Sequence, residues 1–225
     1  MKKYSFLLIL FFASCQIEYT GDERLVVKGN LVDENNQPLA NCKIEAWVYK
    51  EGGTIPFLFY VPDEKNLISY TTTDKNGNYT MIFPKPSNES SMAVTVVPKE
   101  NNQEKYFINI QKNNFNDYTL NLSSTKIYKK SSISNLIINL NQMDDSSNEI
   151  QYIKLIGTFP EHYVYVNPID VIDEYFRYDY KKSVIKNQSL IVQYEIFNYE
   201  TGILSKIEET ILVGDSDTVT HNFNY

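Results

Sequence analysis

Few residues in this 225-residue chain have the types and spacing that catalysis requires. The two histidines, His162 and His221, lie far apart in the sequence, and neither has a second ligand at a spacing typical of zinc sites. His221 falls on the apolar face of a predicted strand, which favours a hydrogen-bonded core or interface histidine. Cys42 shares a strand face with Ile44 and Val48, so we expect a buried thiol and not a nucleophile.

The sequence contains no serine-hydrolase, metalloprotease or P-loop motif. We therefore expect no enzyme, no cofactor and no bound metal. The chain has a net charge of -7 and a pI near 5.0. Because phosphate contacts need clustered basic residues, this charge makes a nucleic-acid partner unfavourable.

Strand periodicity dominates the chain from Arg24 onward. In the stretch Lys43 to Tyr49, alternate residues are apolar, so Trp47 and Tyr49 are predicted on the face opposite the core. Aromatic and β-branched residues are frequent, and no long amphipathic helix is evident. The sequence predicts an all-β fold with two sandwich-like units, the second smaller, and a hairpin turn at Asn76 and Gly77.

The N-terminus has the organisation of an export signal. Two lysines precede the apolar run Phe6 to Ala13, which is too short to span a membrane. Ser14 and Cys15 follow directly. This pattern resembles a bacterial lipoprotein signal, which implies cleavage between Ser14 and Cys15 and acylation of the cysteine. An ordinary secretory signal with a chance cysteine is the alternative.

These observations predict five segments. They are a signal peptide over 1–14, a tether over 15–23, a β-sandwich over 24–141, a linker over 142–149 and a C-terminal β-domain over 150–225. After loss of the signal, Cys42 has no cysteine partner within the chain once Cys15 is acylated. Packing, and not disulfide bonding, must therefore stabilise the fold.

The first unit carries a recognisable pattern over residues 24–100. The stretch VKGNLVDENNQPLANCKIEAW, followed by TTTDKNGNYTM, resembles the carboxypeptidase regulatory-like domain, a small transthyretin-like β-sandwich. The matching positions are Val27, Gly29, Leu31, Asp33, Pro38, Leu39, Ile44, Thr73, Asp74, Gly77 and Tyr79. With the signal, this resemblance implies an envelope lipoprotein of the Bacteroidota, in which such domains are non-catalytic binding or structural modules.

Exposed aromatic residues are the candidate ligand or interface residues. Trp47 and Tyr49 share a polar strand face, and a predicted loop carries Phe57, Phe59 and Tyr60. Packing of this face against the second unit is the alternative. The triplet around Thr218 resembles a Bacteroidota O-glycosylation acceptor.

The sequence therefore predicts a non-catalytic, lipid-anchored protein of the cell envelope, at the outer membrane, that acts as a binding or scaffolding module. The anchor makes the membrane one partner, and a glycan or a protein is the other. A glycan-binding accessory of a polysaccharide uptake system and a structural or adhesion subunit are the two alternatives.

Overall fold

The structure is a computed structural model that describes residues 17–50, 53–55, 59–61, 64–87, 91–143, 147–167 and 179–225. Ser14 and Cys15 lie outside these residues. The regular structure is β throughout the described chain, apart from short 3-10 turns at Lys112–Asn114 and Lys130–Ser132. The predicted all-β fold is confirmed. No helix in the described ranges has the length and apolar character needed to cross a membrane.

Strands β1 to β9 form the first unit, and the later strand β12 joins one of its sheets. Their bounds are β1 (Tyr19–Val32), β2 (Lys43–Lys50), β3 (Gly53–Ile55), β4 (Phe59–Val61), β5 (Glu64–Thr72), β6 (Asn78–Pro86), β7 (Ser91–Val97), β8 (Lys105–Ile110) and β9 (Thr119–Lys126). The later strands are β10 (Ile133–Asn141), β11 (Asn148–Ile156), β12 (Tyr163–Tyr165), β13 (Asp179–Ile185), β14 (Gln188–Asn198), β15 (Ile203–Val213) and β16 (Thr218–Asn224).

Two sheets enclose the core of the first unit. One has the order β6-β1-β9, and the other has the order β12-β8-β7-β2-β5. Alternate residues of β2 face inward, and Ile44, Ala46 and Val48 are buried there. Cys42 is also buried, as predicted, and its thiol is free. The interior of this sandwich is an apolar cluster that extends from Ile17 to Ile127.

The second unit repeats this arrangement with fewer strands. Its sheets have the orders β13-β10-β16 and β11-β14-β15. In both units the first strand lies between an antiparallel and a parallel neighbour: β1 between β6 and β9, and β10 between β13 and β16. Tyr194 and Phe223 stack inside this second core with ring centroids 3.7 Å apart.

Three predicted segment boundaries differ from those in the structure. Ile17 packs in the first core and β1 begins at Tyr19, so residues 17–23 are not a free tether. Strand β10 was assigned to the first unit, but its buried residues Leu136, Ile138 and Leu140 belong to the second core. The predicted linker is also shorter than expected, because β11 already begins at Asn148. The alternation of β10 marks a half-buried strand but does not identify the sheet that it joins.

The turn at Gly77 forms, but it does not close a hairpin. Strand β5 pairs with β2, whereas β6 pairs with β1 in the other sheet, so the turn crosses between sheets. The connection at Pro38 likewise leads from β1 in one sheet to β2 in the other. At the C-terminus, β14 and β15 form a hairpin, whereas β16 pairs with β10 in the other sheet.

Several residues of the carboxypeptidase regulatory-like pattern have clear packing roles. One Asp74 carboxylate oxygen accepts hydrogen bonds from the backbone N–H groups of Asn76 and Asn78, at 2.8 and 2.9 Å. Gly77 has a φ of +77°, which favours glycine. Gly29 lies opposite Tyr79 in the β1–β6 ladder, and the tyrosine ring occupies the space beside its Cα. These contacts hold the end of β6 against β1.

Candidate binding face

The outer surface of the five-stranded sheet carries the predicted aromatic residues. Because side chains alternate along β2, Trp47 and Tyr49 point away from the core and are half-buried. We call this surface the aromatic face and define it by Glu45, Trp47, Tyr49, Lys65, Tyr70, Tyr106 and Tyr163.

One row of the aromatic face crosses all five strands in register. Glu45 of β2 pairs with Tyr70 of β5 on one side and with Thr95 of β7 on the other. Thr95 in turn pairs with Tyr106 of β8, which pairs with Tyr163 of β12. Since neighbouring strands lie about 4.8 Å apart, the row is about 19 Å wide.

Small residues fill the middle of this surface. Ala93 and Thr95 of β7 are buried, although they point to the outer side of the sheet. The larger side chains on β2 and β8 flank them and cover them, which leaves aromatic rings as the outermost groups. At these two positions of β7, the described surface is therefore closed.

The Lys65 side chain packs against the Trp47 and Tyr49 rings on β2. Its Nζ lies 4.2 Å from the centre of the Trp47 ring and 5.4 Å from that of Tyr49. The Trp47 indole N–H donates to Glu45 Oε2 at 3.1 Å. One side of the Trp47 ring is thus occupied by Lys65, whereas the Tyr70 and Tyr163 side chains are 68% and 56% exposed.

Three rings meet at the β12 end of the aromatic face. Tyr106 and Tyr163 stack with centroids 5.3 Å apart, and His162 contacts both edge-on. His162 Nδ1 lies 2.8 Å from the Glu104 carbonyl oxygen, so this nitrogen carries the proton. Tyr106 donates to the Glu104 carboxylate, and this hydrogen bond raises the pKa of Tyr106 to about 12. The Tyr106 hydroxyl therefore remains protonated throughout the physiological range.

The structure brings together only some of the predicted aromatic residues. Phe57 lies outside the described residues. Phe59 and Tyr60 lie in β4, which pairs with β3, and their side chains are not among those described. Sequence reasoning did not connect Tyr70, Tyr106 and Tyr163 with Trp47. Only the strand register could have joined them, because they come from four different strands.

The remaining predicted residues lie elsewhere. Thr218 is exposed at the start of β16, one residue after Asp217, which forms an ion pair with Lys186 at 2.7 Å. His221 is half-buried, and its Nε2 lies 2.7 Å from Glu209 Oε2. This contact agrees with the predicted hydrogen-bonded histidine.

Comparison with known proteins shows no family for this chain. No family model and no curated protein matches the chain. Among solved structures, the shaft pilin spaA from Lactobacillus rhamnosus GG has a TM-score of 0.32 and 10% identity, with 90% of this chain and 97% of that chain covered.

Two solved enzymes are similar over half of the chain. The 3-chlorocatechol 1,2-dioxygenase from Rhodococcus opacus 1CP has a TM-score of 0.30 and 17% identity, with 50% of this chain and 64% of that chain covered. A 9R-lipoxygenase from Cyanothece PCC8801 has a TM-score of 0.29 and 18% identity, with 50% of this chain and 18% of that chain covered. The chain thus spans less than two thirds of either enzyme. What is established is an all-β protein of sandwich-like units.

Proposed function

We propose that this chain is a non-catalytic, lipid-anchored protein of the bacterial outer envelope whose first unit is a binding module. The family behind this proposal is the Bacteroidota lipoproteins with a carboxypeptidase regulatory-like domain. The observation that supports the binding role is the row from Tyr70 to Tyr163, which presents aromatic rings and the Glu45 carboxylate across five paired strands.

An extended ligand suits the shape and chemistry of the aromatic face. The described part of the surface is about 19 Å wide and is filled by side chains at β7, so a ligand is expected to lie across it. Exposed tyrosine rings can stack on the apolar side of a sugar ring or on apolar side chains of a protein. Glu45, Glu104 and Lys65 lie beside the rings and can hydrogen-bond to hydroxyl groups. A glycan is therefore the first ligand to test, and a protein is the second.

Calorimetry with soluble envelope polysaccharides tests this proposal. Tyr70→Ala and Tyr163→Ala remove the two most exposed rings of the face, and we expect each to lose most of the binding enthalpy and affinity. Tyr199→Ala is the matched control, because Tyr199 is 63% exposed on the second unit. Unchanged binding by the Tyr70→Ala, Tyr163→Ala double variant would show that the aromatic face is not the binding site.

Trp47→Ala is a less selective test than the tyrosine variants. Trp47 is half-buried and contacts Lys65 and Glu45, so its removal also disturbs the packing of the sheet. A loss of binding in this variant counts only if its thermal unfolding matches that of the wild type.

The proposed anchor has its own test. Cells grown with labelled palmitate should incorporate the label into the wild-type protein and not into Cys15→Ala. Equal labelling of the two proteins would refute acylation at Cys15 and leave the binding proposal untouched.

A structural or adhesion subunit is the second candidate function. The observation that favours it is the uncovered outer edge of β15, which is the last strand of its sheet among the described residues. An edge strand offers unpaired backbone groups to a partner strand.

A further inference from the structure

Strand β15 lies at the edge of its sheet, whereas the corresponding strand of the first unit has a further strand on its outer side. The two units share a strand arrangement in which β7 and β8 correspond to β14 and β15. In the first unit, β12 adds to the outer edge of β8. In the second unit, no strand within the described ranges adds to β15.

The exposed residues of β15 do not resemble an ordinary solvent-facing edge. Ile203, Ile207 and Ile211 recur every fourth position and therefore lie on the same side of the strand. Ile211 is buried in the second core, whereas Ile203 and Ile207 are 58% and 40% exposed. The apolar side of β15 therefore extends past the part of the strand that is buried in the second core.

We propose that β15 pairs antiparallel with β15 of a second copy of this chain, with a twofold axis at Ile207. A twofold axis perpendicular to the sheet places each residue opposite one equally far from Ile207 on the other strand. Ile207 then faces its own counterpart, and Ile203 faces Ile211 of the second copy. The three-isoleucine pattern is symmetric about its centre, as this pairing requires.

The charges of β15 fit the same register. Lys206 lies opposite Glu208 of the second copy, and the symmetry creates this ion pair twice. Lys206 has a side chain that is 73% exposed and contacts Glu195 at 2.5 Å, while Gln193 donates to Glu208 at 2.9 Å. Both charges therefore lie on the outer side of the sheet and can reach a neighbouring strand.

Neighbouring registers are unfavourable. A twofold axis at Lys206 would place the two lysines opposite each other, and an axis at Glu208 would do the same to the two glutamates. Like charges directly opposite each other destabilise a strand pair. Charge complementarity and the isoleucine spacing therefore favour a twofold axis at Ile207. A partner of unrelated sequence would not require β15 to have a pattern that is symmetric about this residue.

Sedimentation velocity of the full chain across a wide concentration range tests the pairing. We expect a monomer–dimer equilibrium that Lys206→Glu and Glu208→Lys each weaken by about tenfold or more. The double variant Lys206→Glu, Glu208→Lys exchanges the two charges and should restore the dimer. Within each copy, Lys206→Glu, alone or in the double variant, places a glutamate beside Glu195 and removes the ion pair that Lys206 forms there. Restoration of the dimer in the double variant therefore reports the pair between the two copies.

Ile207→Lys should abolish the dimer, and Ile82→Lys is the matched control. Ile82 is 57% exposed on β6, an edge strand of the first unit, so its substitution should leave the dimer unchanged. A chain that stays monomeric at all concentrations overturns the proposal. A dimer that survives both Ile207→Lys and Lys206→Glu overturns it as well.

Cross-linking tests the register directly. In a Cys15→Ala background, Ile207→Cys should form a disulfide with its own counterpart under mild oxidation, because the axis passes through this position. Lys206→Cys and Glu208→Cys should cross-link when mixed and much less when each is alone. Efficient self-linking at 206 or 208, without linking at 207, would refute the axis.

Discussion

Substitution of Gly29 by alanine should destabilise the first unit, because the tyrosine opposite leaves no room for a side chain. A Cβ at Gly29 would lie 2.4 Å from Oη, 2.6 Å from Cζ and 2.9 Å from Cε1 of Tyr79. Tyr79 is buried and is held by the β1–β6 ladder, so its ring cannot leave without opening the core. Overpacking of this kind costs about 1–3 kcal/mol.

The unfolded state offsets part of this cost. Alanine restricts the unfolded chain more than glycine does, which stabilises the protein by about 0.4–1 kcal/mol. The net loss for Gly29→Ala is therefore about 1–2 kcal/mol of the free energy of unfolding. Gly21→Ala is the control, because no atom lies within 4 Å of its added Cβ. Because only the effect on the unfolded state remains there, Gly21→Ala should raise the free energy of unfolding by about 0.4–1 kcal/mol.

Urea unfolding followed by tryptophan fluorescence measures this loss in the first unit alone. The chain has one tryptophan, Trp47, and it lies in that unit. Tyr79→Ala alone should cost about 3–5 kcal/mol, because it leaves a cavity. In that background the added methyl group has space, so Gly29→Ala should cost less than about 0.5 kcal/mol. An equal cost of Gly29→Ala in both backgrounds would refute the packing argument.

Three further predictions follow from local contacts. Asp74→Ala should lower the unfolding free energy of the first unit by about 1 kcal/mol, since two backbone N–H groups lose their acceptor, and Asp74→Asn should retain most of it. In a Cys15→Ala background, Cys42 should resist a thiol reagent at neutral pH until urea unfolds the protein, because burial raises the pKa of its thiol. Lys186 holds the pKa of Asp217 below its ordinary value of 3.8, so this ion pair stabilises the fold fully above that pH and is lost as the pH falls further. Urea midpoints from circular dichroism should therefore fall less steeply with acid in Asp217→Asn than in the wild type.

Local patterns predicted the parts of the fold that depend on one strand or one turn. The alternation around Trp47 fixes which side chains face the core, because a half-buried strand has a period of two. The turn at Asn76 and Gly77, though not its pairing as a hairpin, likewise follows from adjacent residues. Neither inference needs knowledge of the partner strand.

Features that depend on distant partners were not predictable in the same way. The turn at Gly77 has the sequence of a hairpin, yet it crosses between sheets because β5 pairs with β2 and β6 pairs with β1. The register of the row from Tyr70 to Tyr163 depends on four separate strand pairings, and only the β7–β8 pairing joins strands that are consecutive in the chain. The aromatic residues were visible in the sequence, but their alignment was not.

The short strand β12 connects the two units and accounts for the shape of the candidate site. It lies after β11 in the chain, but it pairs with β8 of the first unit and brings His162 and Tyr163 to the aromatic face. A strand that follows β11 in the chain therefore supplies one end of the aromatic face. The corresponding edge of the second unit, at β15, receives no such strand within the described chain and carries a symmetric apolar and charged pattern instead. One position in a repeated fold thus completes the aromatic face in the first unit, and in the second it carries the pattern on which the proposed pairing of two copies rests.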